Sequence, residues 1–187
     1  MEKSEVILSA ALKLFVEYGF HGTPTSKIAA EAGVSNGTLF HYFKTKDELT
    51  VALYVHVKND LNNALALRQQ KTKDIRTRFK YLFADSIKWS LQNYKEFYYI
   101  QQFHFSPHLS LVSKEELERQ TQLHLGLLQE AIDAKLLKPL PVELIIQLVG
   151  SQIYGLHQYL LEAKLTPAEL QNNVDEALEL LLTMIFI

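Results

Sequence analysis

VSNGTLFHYFKTKDEL, residues Val34–Leu49, places a helix start, a dense aromatic run and a second helix start in one short segment. Ser35 is positioned to cap a short helix running to about Phe43, because a serine side chain can accept from the free amides of a first turn. Thr45-Lys46-Asp47-Glu48 spells a capping box that opens a longer helix. Upstream, Val6, Ile7, Ala10, Ala11, Leu14, Phe15 and Tyr18 recur with helical period on one face, and Gly19 closes that helix. Thr23-Pro24 reads as an N-cap followed by proline at the first helical position. The second helix is short, with Ile28, Ala29 and Ala32 facing inward and Gly33 ending it. Two short helices joined by a glycine turn form a helix-turn-helix, whose second helix enters the DNA major groove.

The side chains suit that geometry. Gly37 lets the backbone approach a phosphate or base closely. Asn36 can pair with base edges, Thr38 can meet a thymine methyl or donate a hydrogen bond, and Phe40 can pack on a thymine methyl. His41, Tyr42 and Lys46 can reach phosphates, as can the hydroxyls of Thr25 and Ser26 at the start of the second helix. Phe43 reads as core.

On these residues the chain resembles the tetracycline-repressor (TetR) family of bacterial regulators. "YGFHGTPTSKIAAEAGVSNGTLFHYFKTKDEL" carries the glycine after the first helix, "IAAEAGVS", "GTLFHYF" and "KTKDEL" in the family's order without gaps. The resemblance implies DNA contacts at Thr25, Ser26, Ser35, Asn36, Gly37, Thr38, Phe40, His41, Tyr42 and Lys46. Phe40 stands where many members carry tyrosine, and Pro24 where they often carry threonine. The resemblance also implies a bacterial source and a C-terminal domain that binds ligand and dimerises.

Composition sets the outer limits. The chain has 187 residues, is 48% apolar, contains no cysteine and carries a net charge of −2. It can bury a sizeable core, it has no disulfide or thiolate chemistry, and no global basic field argues for nucleic acid. Any DNA binding rests on local geometry. The N-terminus lacks the apolar run of a signal peptide. Leu144–Leu161 is uncharged over a length that invites a membrane check, but Gln147, Ser151, Gln152, His157 and Gln158 suit a helix packed among helices. A cytoplasmic protein without membrane contact is expected. No metalloprotease motif, P-loop, nucleophile elbow or dinucleotide loop is present, so an enzyme is not expected.

Beyond Leu49 the pattern stays helical. The fourth helix runs to about residue 70, and further helices span roughly 73–92, 94–105, 114–137, 141–163 and 167 onward, the last opened by the capping box Thr166-Pro167-Ala168-Glu169. The expected fold is all-α with about nine helices. A three-helix DNA-binding domain occupies residues 1–48, and a ligand-binding and dimerisation domain occupies 49–187.

Half of the chain's aromatic residues lie within 79–105. Ordinary core and pocket lining both remain open for each, but the density favours a cavity for a small apolar or aromatic effector of unknown identity. Phe83, Ser86, Phe103, His104, His124, Leu128 and Tyr154 are the expected lining. His104 and His108 have metal-like spacing, yet Pro107 breaks the register between them, and no metal or cofactor is expected. The last two helices carry more apolar surface than one buried face uses. A homodimer is therefore expected through Leu148, Gly155, Leu178 and Leu182. The reading adopted is a ligand-responsive homodimeric repressor of a palindromic operator in double-stranded DNA. An activator, or a helical ligand-binding protein whose helix-turn-helix no longer binds DNA, stays open as an alternative.

Overall fold

The computed structural model describes residues 2–69 and 71–187. The chain folds into α1 (Lys3–Tyr18), α2 (Thr25–Glu31), α3 (Asn36–Tyr42), α4 (Lys46–Gln69), α5 (Ile75–Gln92), α6 (Tyr94–His104), a 3-10 turn at Pro107–Leu111, α7 (Lys114–Asp133), α8 (Val142–Glu162) and α9 (Pro167–Ile185). Among the described residues, extended pairing is confined to one isolated bridge between Leu137 and Phe186. The all-α expectation holds. No helix among the described residues is long and apolar enough to cross a membrane.

Two compact units emerge. The first combines Met1–Asp60 with Asn93–Gln120, so α6 and the 3-10 turn belong with the helix-turn-helix segment. Its core is built from Ile7, Ala11, Leu14 and Phe15 of α1, Ile28 of α2, Leu39 of α3, Leu53 of α4 and Tyr99 and Phe103 of α6. The second combines Leu61–Gln92 with Thr121–Ile187. There Phe79, Phe83 and Ile87 of α5 pack in one cluster with Leu127 and Leu128 of α7, Ile145 and Leu160 of α8, and Val174, Leu178, Leu181 and Leu182 of α9.

Local signals set most helix ends. Gly19 and Gly33 both adopt positive φ, +70° and +64°, where a side chain would be strained. Ser35 accepts from the Thr38 amide at 3.0 Å, and Thr166 with Glu169 closes a full capping box at α9. Three expectations need correction. Thr23 does not cap α2; the helix starts one residue after Pro24, which takes the cap position. Glu48 receives its amide hydrogen bond from Lys44 rather than Thr45, so only the Thr45 half of the box at α4 forms as expected. Finally, α7 ends at Asp133 and not near Leu137, because Lys135 turns left-handed at φ +54° and sends Leu137 to pair with Phe186.

A lysine in the left-handed region stores strain that a β-branched residue would increase. Lys135→Val is expected to be less stable than Lys135→Gly by about 1–2 kcal/mol, read from urea unfolding of the two variants.

Candidate nucleic-acid interface

Neither α2 nor α3 is long enough to persist alone, so each depends on what it buries. Ile28 and Ala29 of α2 and Leu39 of α3 are withdrawn from solvent, and α2 packs on both α1 and α3. The left-handed Gly33 turns the chain between them, and the Val34 amide donates to the Ala29 carbonyl at 2.9 Å. The Ser35 hydroxyl holds the start of α3 by accepting from the Thr38 amide and lies 3.0 Å from the Thr38 hydroxyl.

That burial leaves one face of α3 in water. Asn36, Gly37, Phe40, His41 and Tyr42 are exposed, Ser35 is exposed beside them, and Thr38 is half-buried. A β-carbon built on Gly37 would meet only the Ser35 hydroxyl, at 3.7 Å, so its outer side is open to an approaching backbone. Phe40 and Tyr42 are both about two-fifths exposed, at 40% and 41%, a costly arrangement unless another surface covers them. The His41 and Tyr42 rings meet edge to face with centroids 5.5 Å apart. At the start of α2, Ser26 is exposed and Thr25 half-buried.

The mount beneath this face was invisible to pattern reading. Thr23 is fully buried, and its hydroxyl lies within hydrogen-bond reach of two carbonyls, Leu14 at 3.1 Å and Gly19 at 2.8 Å. It ties the α1–α2 loop to the end of α1. Phe20, in the same loop, sits among Phe15, Tyr99, Phe103 and His108, with centroid distances of 5.3, 5.7, 6.4 and 4.8 Å. Lys46, expected at a phosphate, donates to the Phe20 carbonyl at 2.5 Å, and partial burial lowers its pKa. Tyr99 of α6 donates to the Thr50 carbonyl at 2.7 Å, and burial holds its phenol well above the usual range. The His108 imidazole lies 3.4 Å from the Asp47 carboxylate at the start of α4. Helix α6 and the 3-10 turn thus support α1 and the start of α4 directly.

The expected effector residues are divided between the two units. Within the second unit Phe83, Ser86 and Leu128 are buried, and Ser86 donates to the Leu82 carbonyl. His124 and Tyr154 are half-buried, and burial raises the Tyr154 pKa. Within the first unit Phe103 is buried, its ring stacked 4.1 Å from Tyr54. His104 is exposed, so it does not line an interior: it falls at the solvent side of the last turn of α6, against Phe105. A buried polar pair that pattern reading did not single out joins His157 Nδ1 to the Ser90 hydroxyl at 2.8 Å, and burial lowers the imidazole pKa. A cleft of about 620 Å³ in the second unit is lined by Arg68, Tyr81, Asp85, Lys88, Leu170 and Asp175 among others, and by none of the expected residues. No group of three or more metal-ligating side chains occurs among the described residues.

The residues at the predicted dimer surface also divide. Leu178 and Leu182 belong to the protomer's own core, both 5% exposed, because that face of α9 packs against α5 and α8. Leu148 is half-buried and Gly155 exposed on α8. The apolar side chains that α8 and α9 leave to solvent are Leu144, Ile146, Tyr159, Leu161, Leu180 and Met184.

With this geometry in place, comparison with known proteins is direct. Residues 7–53 match the family described as bacterial regulatory proteins, tetR family. A chain from Shewanella sp. PV-4, described as a candidate tetR family transcription regulator, has the same fold end to end, with a TM-score of 0.90, 26% identity and 100% of each chain covered. Residues 7–53 thus carry the tetR-family segment, within a chain that shares the fold of that tetR family regulator. The HTH-type transcriptional regulator RutR of Escherichia coli K12 is 49% identical over 51 residues, 27% of this chain and 24% of RutR. The chain spans only about a quarter of the length of the first curated relatives it matches. Likeness in fold alone extends to the transcriptional regulator FadR from Bacillus subtilis in complex with stearoyl-CoA, with a TM-score of 0.77, 20% identity, and 96% and 97% of the two chains covered.

The buried Thr23 hydroxyl yields a test of the mount. Thr23→Val keeps the shape but removes the hydrogen bonds to α1, and should lower the unfolding free energy by about 1–3 kcal/mol, measured by chemical denaturation.

Proposed function

We propose that this protein is a homodimeric, effector-responsive transcriptional repressor of the tetR family that binds a palindromic operator. The observation that carries the reading is the exposed face of α3, where Asn36, Phe40, His41 and Tyr42 stand in water on a helix whose other side is fixed in the core. Ordinary surface helices do not spend aromatic side chains in this way, whereas a major groove offers methyl groups, base edges and phosphates to cover them. Asn36, Thr38 and Phe40 would read bases. Thr25, Ser26, Ser35, Gly37, His41, Tyr42 and Lys46 would position the helix on the backbone, Lys46 exchanging its Phe20 carbonyl for a phosphate.

Residues 1–48 serve as the DNA-reading segment and 49–187 as the sensing and dimerising segment. Dimerisation uses the outer faces of α8 and α9. A β-carbon on Gly155 meets nothing within 4 Å, so its small size serves no packing inside the protomer and leaves room for a partner helix. Leu144, Leu148, Tyr159, Leu180 and Met184 supply the apolar surroundings in place of the inward Leu178 and Leu182. Two recognition helices about 34–36 Å apart then read one inverted repeat. The effector is a small molecule with an apolar or aromatic body, in keeping with a fold that holds stearoyl-CoA in FadR. Its binding shifts α4, the helix that runs from the DNA-reading segment into the sensor, and releases the operator. Such coupling is reciprocal, so operator DNA weakens effector binding by the same factor. The relatives are regulators, and no catalytic step is assigned to the chain.

In-vitro selection of random duplex DNA at fixed moderate salt should enrich an inverted repeat. The double variant Asn36→Ala/His41→Ala should lose about 10-fold to 100-fold or more in affinity for it while keeping its helical content. Failure to enrich any sequence, from folded dimer and with effectors also tried, would instead favour a ligand-binding role. Gly155→Arg should sediment as a monomer and lose the full operator while leaving unit folding intact; a dimer in that variant would move the interface elsewhere.

A further inference from the structure

His108, in the 3-10 turn, stands where three further segments of the first unit meet. Its side chain is only 14% exposed, and its Nε2 lies 3.4 Å from the Asp47 carboxylate in the first turn of α4. The ring rests against Phe20 of the α1–α2 loop and Phe103 of α6, with centroids 4.8 and 6.3 Å away. Its Nδ1 is 3.3 Å from the Ser106 hydroxyl. That hydroxyl already gives its one hydrogen to the Phe103 carbonyl at 2.8 Å, and it accepts from the His108 amide at 3.2 Å. Toward the ring it can therefore only accept, and a carboxylate also only accepts. A neutral imidazole has one N–H and serves one of these two acceptors, whereas the imidazolium has two and serves both. Both contacts are longer than an ideal hydrogen bond, so charge on the ring has room to shorten them. The aromatic rings beside it also favour a cation over a neutral ring. Two phenols belong to the same aromatic cluster, Tyr99 of α6 and Tyr54 of α4, and phenols stay uncharged over the range in which imidazoles titrate. The charged groups of the junction are thus Asp47 and its neighbour Lys46, with His21 exposed beside Phe20.

Building on the operator-binding reading above, we propose that His108 is a proton-sensitive latch on the DNA-reading segment, charged when the operator is bound. The ring touches both residues that frame Lys46: Phe20, whose carbonyl accepts from the lysine, and Asp47, next in the chain. A phosphate at Lys46 brings negative charge up to Asp47, and an imidazolium paired with that carboxylate offsets the repulsion. Operator binding then draws a proton onto His108. By reciprocity, acid conditions tighten operator binding, and a rise in pH through the imidazole range weakens it. The Asp47 side chain is 64% exposed, so solvent screens the pair and the latch tunes affinity by a small factor. His108 acts here as a positioning residue, since it meets the DNA only through Asp47 and the Phe20–Lys46 contact.

The test measures operator affinity of the full chain at fixed salt from about pH 5.5 to about pH 8, the interval in which imidazoles change charge. Between the two ends, native protein should gain about 2-fold to 5-fold more affinity in acid than His108→Gln gains. Both proteins keep His21 and His41, so the titration of those residues cancels in the comparison. Asp47→Asn should remove the same component of the pH dependence. Identical pH profiles for native protein and His108→Gln overturn the proposal, as does full native pH dependence in Asp47→Asn. Urea unfolding without DNA supplies the second arm. Only the charged ring serves both acceptors of the folded chain, so the stability advantage of native protein over His108→Gln should be largest in acid and shrink as pH rises. An advantage that is constant or grows with pH overturns the latch. Should His108→Gln fail to fold, the exposed substitution Asp47→Asn carries both comparisons. Absence of operator binding by native protein at every pH would instead be failure of the regulator reading, and the unfolding comparison would still decide the latch.

Discussion

A seven-residue helix has no stability of its own in water, since the cost of nucleating it exceeds what so few hydrogen bonds return. Both α2 and α3 are of this length, and everything about the exposed face of α3 depends on solving that problem. The solution is burial on one side and covalent brevity on the other. Leu39 fixes α3, Ile28 and Ala29 fix α2, and the left-handed Gly33 joins them without a side chain to obstruct the turn. The support then extends downward. Thr23 binds the preceding loop to α1, Phe20 wedges into the aromatic cluster of α6 and the 3-10 turn, and Tyr99 reaches the α4 backbone. A recognition helix that cannot hold its own shape is held by a core drawn from distant parts of the chain.

This explains why the local architecture could be read from the sequence while its foundation could not. Gly19, Gly33, Ser35 and the Thr166 box act through bonds to residues two to four positions away, so their effect is written in spacing. Thr23 has the same composition signal as a cap, but its hydroxyl is claimed by Leu14 and Gly19, nine and four residues upstream, and no periodicity distinguishes the two uses. Lys135 defeats the reading of α7 for a related reason. Its left-handed turn leads into the Leu137–Phe186 pairing, a contact between segments far apart in sequence.

Helix α9 shows the limit most clearly. Its sequence is apolar on more than one side, so counting apolar residues reveals that two surfaces must be covered but not which is covered by the chain itself. Packing against α5 and α8 takes Val174, Leu178, Leu181, Leu182 and Ile185 inward, leaving Leu180 and Met184 outside. A one-residue rotation about the helix axis, some 100°, separates the two choices.

Charge is allocated with economy in the DNA-reading segment. Lys13 pairs with Glu31 at 2.6 Å, Lys27 lies 3.3 Å above the Tyr18 ring, and Lys46 is engaged by the Phe20 carbonyl. Several of the cations near α2 and α3 therefore already have partners, and the outer face presents hydroxyl, amide, imidazole and aromatic groups instead. On the proposed reading, affinity for DNA comes less from counterion release than from shape, hydrogen bonds and apolar contact, and one such face supplies few phosphate contacts. Doubling it by two-fold symmetry would compensate. On that proposal the unburied leucines of α8 and α9 and the few free cations near α3 would be met by the same event, the pairing of two chains. A single conformational shift that misplaces one recognition helix relative to its twin can abolish binding without altering either helix, which is what a sensor built on a helix shared by both segments, α4, requires.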